Sequence, residues 1–340
     1  QKMFQYDEEI LEGLDFLLVE MEKRQIYGVM VLGNFWHWSG GFAQYLSWLE
    51  DEPIPYPNLD GGLSWERYME YTFRFYRNPR AKNLFKSHIK EIVKRTNSIT
   101  GKPYTEDPTI MAWQLANEPK CGDGPKNIKA YRKWIKETTK FFRIMDPNHL
   151  ISTGSVWIES ESRYSLLNRD KSFEESHFDG IDYLTAHIWI ENWGWYNPMK
   201  PKSLKAAQER AKKYLDRHIE IAKKKNKPLV LEEFGIARDL RSFESNSTVE
   251  QRDVYYRYMF DYLAQNIDQG SPFQGINFWA WGGEGRPRVP RAVYEAGDDL
   301  IGDPPHEYQG WYSVYNTDVS THQLILDFNQ RYNLMRQQRG

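Results

Sequence analysis

Apolar positions along the chain fall into two alternating periods. Ile10, Leu11, Leu14, Leu17, Leu18 and Met21 recur at helical spacing and predict a helix over residues 8–24. Tyr27–Asn34 (YGVMVLGN) then reads as a short buried strand. Asn78-Pro79 is a cap followed by proline at the first helical position, and it opens a helix with Leu84, Phe85, His88, Ile89, Ile92 and Val93 on one face. Ile110–Glu118 is the next strand, followed by a helix over 127–145 that buries Tyr131, Trp134, Ile135, Phe141 and Phe142. His149–Val156 and Tyr183–Ile188 read as strands, then comes a helix over 204–225 and a strand at Pro228–Phe234. Ser247 is expected to cap a helix with Val254, Tyr255, Tyr258, Met259 and Leu263 inward. Gly275–Trp281 is the last strand, and a helix over 321–336 closes the chain.

Six strand-then-helix units with nearly continuous apolar strands imply a parallel sheet covered by helices. No low-complexity tract, repeat or linker interrupts them, so residues 1–340 read as a single domain. Neither GxGxxG nor a Walker A loop is present, which lowers the weight of nucleotide-binding folds. The favoured architecture is an α/β fold of the (β/α)8 barrel type.

Composition narrows the field. Lys plus Arg is 45 and Asp plus Glu is 47, a net charge of -2 that gives no footprint for nucleic acid. No apolar run approaches the ~18 residues of a membrane span. The single cysteine, Cys121, excludes an internal disulfide framework. The first residues, QKMFQYDEEI, lack a signal-peptide apolar region and an initial Met, and are read as trimmed or incomplete. The eight His show no metal-ligand spacing, so no metal or other cofactor is expected. The informative excess is aromatic: 13 Trp, 22 Tyr and 17 Phe. Leu, Ile and Val suffice for a core, so the surplus Trp points to stacking on a flat ligand.

In a barrel the reactive residues gather at the C-terminal ends of strands. One strand ends in Ala116-Asn117-Glu118-Pro119, another in Leu231-Glu232-Glu233-Phe234-Gly235. Two such carboxylates facing each other across the mouth suit glycoside hydrolysis, one protonating the leaving oxygen and the other attacking the anomeric carbon. Strict alternation turns Glu232 to the face opposite Glu233 and favours Glu233. Alternation also forbids aiming both Asn117 and Glu118 inward, so a bulge or the strand end must redirect one of them.

Asn117-Glu118-Pro119 followed by Glu233-Phe234-Gly235 resembles the retaining glycosidases built on (β/α)8 barrels. More narrowly the chain is similar to glycoside hydrolase family 5 endo-β-1,4-mannanases of bacterial type. That resemblance rests also on Asn34-Phe35-Trp36-His37-Trp38-Ser39-Gly40-Gly41, His187-Ile188-Trp189, Phe278-Trp279-Ala280-Trp281-Gly282-Gly283 and the run Asp303 to Tyr312 (DPPHEYQGWY). It implies Glu118 as acid/base and Glu233 as nucleophile. Glu118 then needs a raised pKa, from burial and the neighbouring anion, while Glu233 needs donors that keep it ionised. It further implies Asn117 at the sugar 2-OH, His187 at the site, and Trp279 as the sugar platform. Trp36, Trp38, Trp189, Trp193, Trp195 and Trp281 follow or end strands on the loop side and are candidate sugar-stacking residues. Trp134 and Trp157 are assigned to the core, and Trp65 is left open.

Where the family often places a tyrosine that bonds the nucleophile, this chain has Trp189, with Tyr196 a weaker candidate donor. Counting back from the Glu233 strand as barrel strand 7 makes Ile110–Glu118 strand 4 and Tyr27–Asn34 strand 3. Strands 1 and 2, and the arginine that strand 2 supplies to the nucleophile, are then unmatched, so a longer parent protein is expected. The remaining charged groups read as bland: Lys223, Lys224, Lys225 and Lys227 suit a helix C-terminus, and Asp298, Asp299 and Asp303 lie in a loop. The resemblance implies retaining hydrolysis of mannan, glucomannan or galactomannan, with no cofactor and with a polysaccharide as partner. Another β-1,4-glycanase such as a cellulase, and a non-catalytic glycan-binding protein, are the rivals. A polymeric substrate implies a secreted, periplasmic or cell-surface location.

Overall fold

A computed structural model of the protein describes residues 3–57, 64–156, 171, 173 and 179–337, and Trp157 lies outside them. The first helix, α1 (Glu8–Lys23), starts where Asp7 accepts the Glu9 amide, with Glu8 and Glu9 at the positive end of the helix. Its inward face agrees with the periodicity at Leu11, Leu14, Leu18 and Met21, which are buried or half-buried, and departs from it at the other positions. Leu18 and Asp15 are buried, whereas Ile10 and Leu17 are exposed. Asp15 turns inward because it has donors there: Arg95 Nε at 2.9 Å, Tyr104 Oη at 2.5 Å, and the Ser98 amide and hydroxyl at 3.0 and 2.8 Å. A buried carboxylate with this many donors is satisfied, and an apolar spacing rule cannot anticipate it.

The strands β1 (Gly28–Val31), β2 (Ile110–Gln114) and β3 (Leu150–Ser152) form a parallel sheet in that order. β1 is its edge, where Tyr27 and Val31 are 66% and 52% exposed. Helices α2 (Gly41–Glu50), α3 (Trp65–Phe73), α4 (Pro79–Val93) and α5 (Pro125–Met145) accompany it. Asn78 caps α4 through the Arg80 and Ala81 amides, as Asn-Pro predicts. α2 and α3 were not evident from periodicity, being only 10 and 9 residues long. An aromatic core joins these helices: Phe42 stacks on Phe75 at 4.1 Å, and Tyr76, Phe85 and Trp134 surround the pair. Trp134 is fully buried, as expected of a core residue. At the foot of the sheet Asp146 accepts the Trp113 indole at 2.8 Å and lies 2.7 Å from His149 Nδ1, while His149 Nε2 faces the Asp107 carbonyl at 2.9 Å.

A second sheet has the order β4 (Leu184–Ile188), β5 (Leu229–Phe234), β6 (Phe273–Ile276), with β5 and β6 parallel. The predicted strand Gly275–Trp281 is divided: β6 ends at Ile276, and β7 (Trp281–Gly283) pairs in parallel with β8 (Val314–Tyr315). Between them the chain still follows β5, through Asn277 N to Leu231 O and Trp279 N to Phe234 O, both 2.8 Å. Helices α6 (Leu204–Lys225), α7 (Glu250–Asp268) and α8 (Val319–Gln337) complete this part. Ser247 does not cap α7. The Glu250 and Gln251 amides are taken by the Asp239 carboxylate at 2.8 and 2.9 Å, and Ser247 instead accepts from Arg238 Nε at 3.0 Å. Arg238 also grips Asp318 with two bonds of 2.9 and 2.7 Å, and Arg252 reaches the same carboxylate at 2.9 Å, all three side chains at most 2% exposed.

The six strands read from sequence are thus present as β1 to β6, with β1–β2, β2–β3 and β5–β6 paired in parallel. By its contacts the chain groups into two units, Gln1–Thr185 and Ala186–Gly340. Among the described residues no helix is long and apolar enough to cross a membrane.

Candidate active site

In the first unit the chain runs on beyond β2. Asn117 N bonds to Gly33 O at 2.8 Å, Phe35 N to Asn117 O at 3.0 Å, and Glu118 N to Gly154 O at 3.2 Å. The conflict between adjacent inward residues is resolved at Glu118 itself, whose φ of 49° lies in the left-handed region. That backbone turn redirects the side chain at the strand end, and a register shift between Ile110 and Ala112 of β2 lies further back along the chain. Gly154 permits the close pass of the neighbouring chain: its φ is +77°, and a Cβ there would lie 1.9 Å from the Ala116 carbonyl.

Glu118 is 12% exposed. Its Oε2 accepts the Trp36 indole N–H at 2.8 Å, and the fully buried Lys120 ammonium lies 3.4 Å away. The same ammonium stands 5.2 Å from the centroid of the Trp36 ring. Asn34 ties the surrounding turn together. Its Oδ1 accepts the Trp36 amide at 3.0 Å and the Asn117 side-chain amide at 3.4 Å, and its Nδ2 donates to the Trp38 carbonyl at 3.2 Å. Trp36 is 8% exposed, so its polar edge serves Glu118 and little of its face is open. Trp38 stacks on it at 5.5 Å and is only half-buried, and Trp65 stands edge-on to Trp36 at 5.4 Å.

In the second unit β5 carries the other carboxylate. His187, at the end of β4 and fully buried, places Nδ1 3.0 Å from Glu233 Oε2. A donor therefore faces the candidate nucleophile. Gly235 follows because nothing larger fits: a Cβ there would stand 2.5 Å from the Trp279 carbonyl and 3.6 Å from the Trp189 ring. Trp189 meets Trp279 edge-on at 6.0 Å and Tyr312 at 5.1 Å, and Tyr312 stacks on Trp311 at 5.1 Å. Beyond them, Glu191 accepts from Trp311 Nε1 at 3.0 Å and from Arg241 Nε at 2.6 Å. Burial raises the Glu191 pKa, and Arg241 and Trp311 only partly oppose this. Tyr196 is buried with its hydroxyl pushed up to about 12, by burial and then by the charges of Glu191 and Asp239.

The other tryptophans named from sequence lie elsewhere. Trp193 and Trp195 pack together at 4.9 Å and lean on Tyr214 of α6, and Arg210 covers the Trp195 ring at 4.3 Å. Trp281 is 58% exposed and its ring lies against His322 of α8. The loop acids have definite tasks. Asp303 is buried, accepts the Gly310 and Tyr312 amides and the Ser313 hydroxyl at 2.8, 3.1 and 3.0 Å, and so shapes the segment that presents Trp311. Asp298 pairs with Arg288, and Asp299 accepts the Arg286 amide. Sequence reasoning did not single out Lys120 beside Glu118, or Glu191 and Arg241 beside Trp311, a residue it met only within the run Asp303 to Tyr312. The signal for two of them was present: Lys120 directly follows Asn117-Glu118-Pro119, and Glu191 sits between Trp189 and Trp193.

Each unit thus carries a strand-end carboxylate with a buried donor beside it, Trp36 at Glu118 and His187 at Glu233, and carboxylates so placed are the groups that glycoside hydrolysis uses. The family described as GH family 5 beta-mannosidase-like matches residues 1–338. The chain belongs to that family of glycoside hydrolases. It is 32% identical over 285 residues to "Putative mannan endo-1,4-beta-mannosidase 4" of Arabidopsis thaliana, covering 81% of this chain and 64% of that protein. The chain thus spans about 64% of the length of that curated relative. Among solved structures it resembles a glycoside hydrolase family 5 mannosidase from Rhizomucor miehei, with 37% identity and a TM-score of 0.88, over 99% of this chain and 79% of that one. An endo-β-1,4-mannanase from Thermotoga petrophila is also similar, at 26% identity and a TM-score of 0.66, over 95% of this chain and 61% of that one. The similarity therefore extends across plant and fungal proteins, beyond the bacterial type suggested by the motifs.

Proposed function

We propose that this chain carries a retaining endo-β-1,4-mannanase activity on mannan, glucomannan or galactomannan. The observation that carries the reading is the pair of strand-end carboxylates, Glu118 bonded to the Trp36 indole and Glu233 facing His187. Family membership and the endo-mannosidase names of the plant relatives support the substrate class. A mutant of the Rhizomucor miehei mannosidase was solved in complex with mannosyl-fructose, which supports mannosyl binding in this branch.

In the proposed reaction Glu233 attacks the anomeric carbon while Glu118 gives its proton to the departing glycosidic oxygen. The glycosyl–Glu233 ester is then attacked by water as Glu118 takes back a proton, and the anomeric configuration is retained. The His187 N–H helps Glu233 stay ionised for the attack. Asn117, held by Asn34, is assigned to the sugar 2-OH, and Trp279 and Trp38 to apolar sugar faces. None of these steps calls on a metal or an organic cofactor. The finer fold reading is a (β/α)8 barrel, supported by the parallel strands with their accompanying helices and by the family match. A polymer too large to enter a cell supports a secreted, periplasmic or cell-surface location.

A second reading has a specific support: the family description and the Rhizomucor miehei protein name a mannosidase, which would release single sugars from a chain end. Product analysis on linear β-mannan separates the two. An endo-enzyme yields a spread of oligosaccharides with an early fall in viscosity, and an exo-enzyme yields mannose alone. Glu118→Ala and Glu233→Ala should each abolish sugar release. Full hydrolysis by either variant would overturn the residue roles, preferred cleavage of cellulose would overturn the substrate, and binding without release would make the chain a glycan-binding protein.

A further inference from the structure

Glu232 was set aside by strand alternation, yet it reaches the same imidazole as the nucleophile. His187 Nδ1 lies 3.0 Å from Glu233 Oε2, and His187 Nε2 lies 3.8 Å from Glu232 Oε2. The alternation of β5 breaks at this point: Leu229 and Leu231 are buried and Val230 is not, but Glu232 and Glu233 are both half-buried. Their side chains are 8% and 12% exposed, and the ring between them is fully buried. Both carboxylates thus lie beside one ring, Glu233 within hydrogen-bond reach of Nδ1 and Glu232 within ion-pair reach, but not hydrogen-bond reach, of Nε2.

We propose that Glu232 is a positioning residue for the nucleophile, holding His187 so that its Nδ1–H stays aimed at Glu233. The inference rests on the reading of Glu233 as the nucleophile and adds a residue outside the reacting pair. Its physical basis is the two-sided chemistry of imidazole. A ring that donates from Nδ1 leaves Nε2 either as a bare lone pair or as a second N–H. A carboxylate beside Nε2 repels the lone pair and attracts the N–H. It therefore favours the ring with both nitrogens protonated, which puts a positive charge against Glu233. The arrangement parallels the way an outer carboxylate fixes a histidine whose other nitrogen does the work.

The test uses the full chain and two readouts. The first is steady-state hydrolysis of a soluble β-mannan by wild type, Glu232→Gln and Glu232→Asp. Glu232→Gln preserves shape and removes the charge, so kcat should fall about tenfold or more with KM nearly unchanged, as is usual when an outer partner is lost. Glu232→Asp should recover part of that loss. The second is the 15N spectrum of the histidine ring nitrogens, with the His187 signals assigned by their absence in His187→Asn. Wild type should show two protonated nitrogens at His187, and Glu232→Gln should show one. Unchanged ring signals in Glu232→Gln, or an unchanged kcat, would overturn the proposal. If Glu232→Gln fails to fold, Glu232→Asp carries both readouts, with a partial fall in kcat and a shifted Nε2 signal expected. Wild type that releases no sugar would instead count against the glycosidase reading, and the ring spectrum would still decide the Glu232–His187 relationship.

Discussion

The indole N–H of Trp36 donates to Oε2 of Glu118 across 2.8 Å, joining residues 82 positions apart in the chain. A tryptophan expected to stack on sugar is therefore committed through its polar edge to the carboxylate assigned as acid/base. Trp36→Phe keeps an aromatic ring in the core and removes that donor. A hydrogen bond to a charged group is worth about 1.5–3 kcal/mol, so kcat on β-mannan should fall about 10- to 100-fold. Initial rates over a range of substrate concentrations check this, and an unchanged kcat would return Trp36 to a packing role.

Gly235 lets the chain beyond Glu233 pass close against the Trp279 backbone. Gly235→Ala introduces a Cβ 2.5 Å from the Trp279 carbonyl, a backbone atom that cannot swing aside. Overpacking of this kind costs about 1–3 kcal/mol. A lower thermal midpoint together with weaker substrate binding is the expected pair of effects, read by calorimetry and by KM.

Asp15 predicts the behaviour of the first unit in acid. Burial pushes its carboxyl up, but Arg95, Tyr104 and Ser98 outweigh burial and hold it well below the usual carboxylate range. A depressed folded value means that the unfolded chain takes up the proton first. The stabilisation is therefore complete above the ordinary carboxylate value and is lost as pH falls toward the folded one. Denaturant titrations from pH 7 down to acid should show this loss in wild type. Asp15→Asn should be less stable at pH 7 and show a shallower dependence.

His149 predicts the opposite slope. Burial lowers its pKa, but the Asp146 carboxylate and the Asp107 carbonyl together raise it above the ordinary histidine value. With a raised folded value, the contribution is complete below the ordinary histidine pKa and is lost as pH rises through the folded one. His149→Phe should remove that slope. The same denaturant midpoints, compared on the two sides of neutrality, check it.

The order of elements was legible in the chain because buried parallel strands and amphipathic helices write different periods. All six strands were found this way, and the Asn78-Pro79 start of α4 was read from two residues. Features set by distant partners were hidden. Asp15 is inward because of Arg95 and Tyr104, and α7 is capped by Asp239 rather than by nearby Ser247, facts that no local window contains. The two candidate carboxylates, Glu118 and Glu233, stood out through their strand-end setting and flanking motifs. The tryptophans did not sort themselves: the same residue type packs against α6 as Trp195, donates to Glu118 as Trp36, and meets Trp189 as Trp279. Which edge of an indole is used depends on its neighbours in space.

The shared carboxylate of Asp318 gives the last helix more than a covering role. It supplies the countercharge for two guanidiniums, Arg238 just past β5 and Arg252 in the first turn of α7. Any shortening of the protein that removes residues from Asp318 onward would strand two like charges in the interior. The segment that follows Glu233 would then be the first to loosen. For minimal catalytic versions or fusions, the safe point of cutting or joining therefore lies after α8, never in the turn that precedes it.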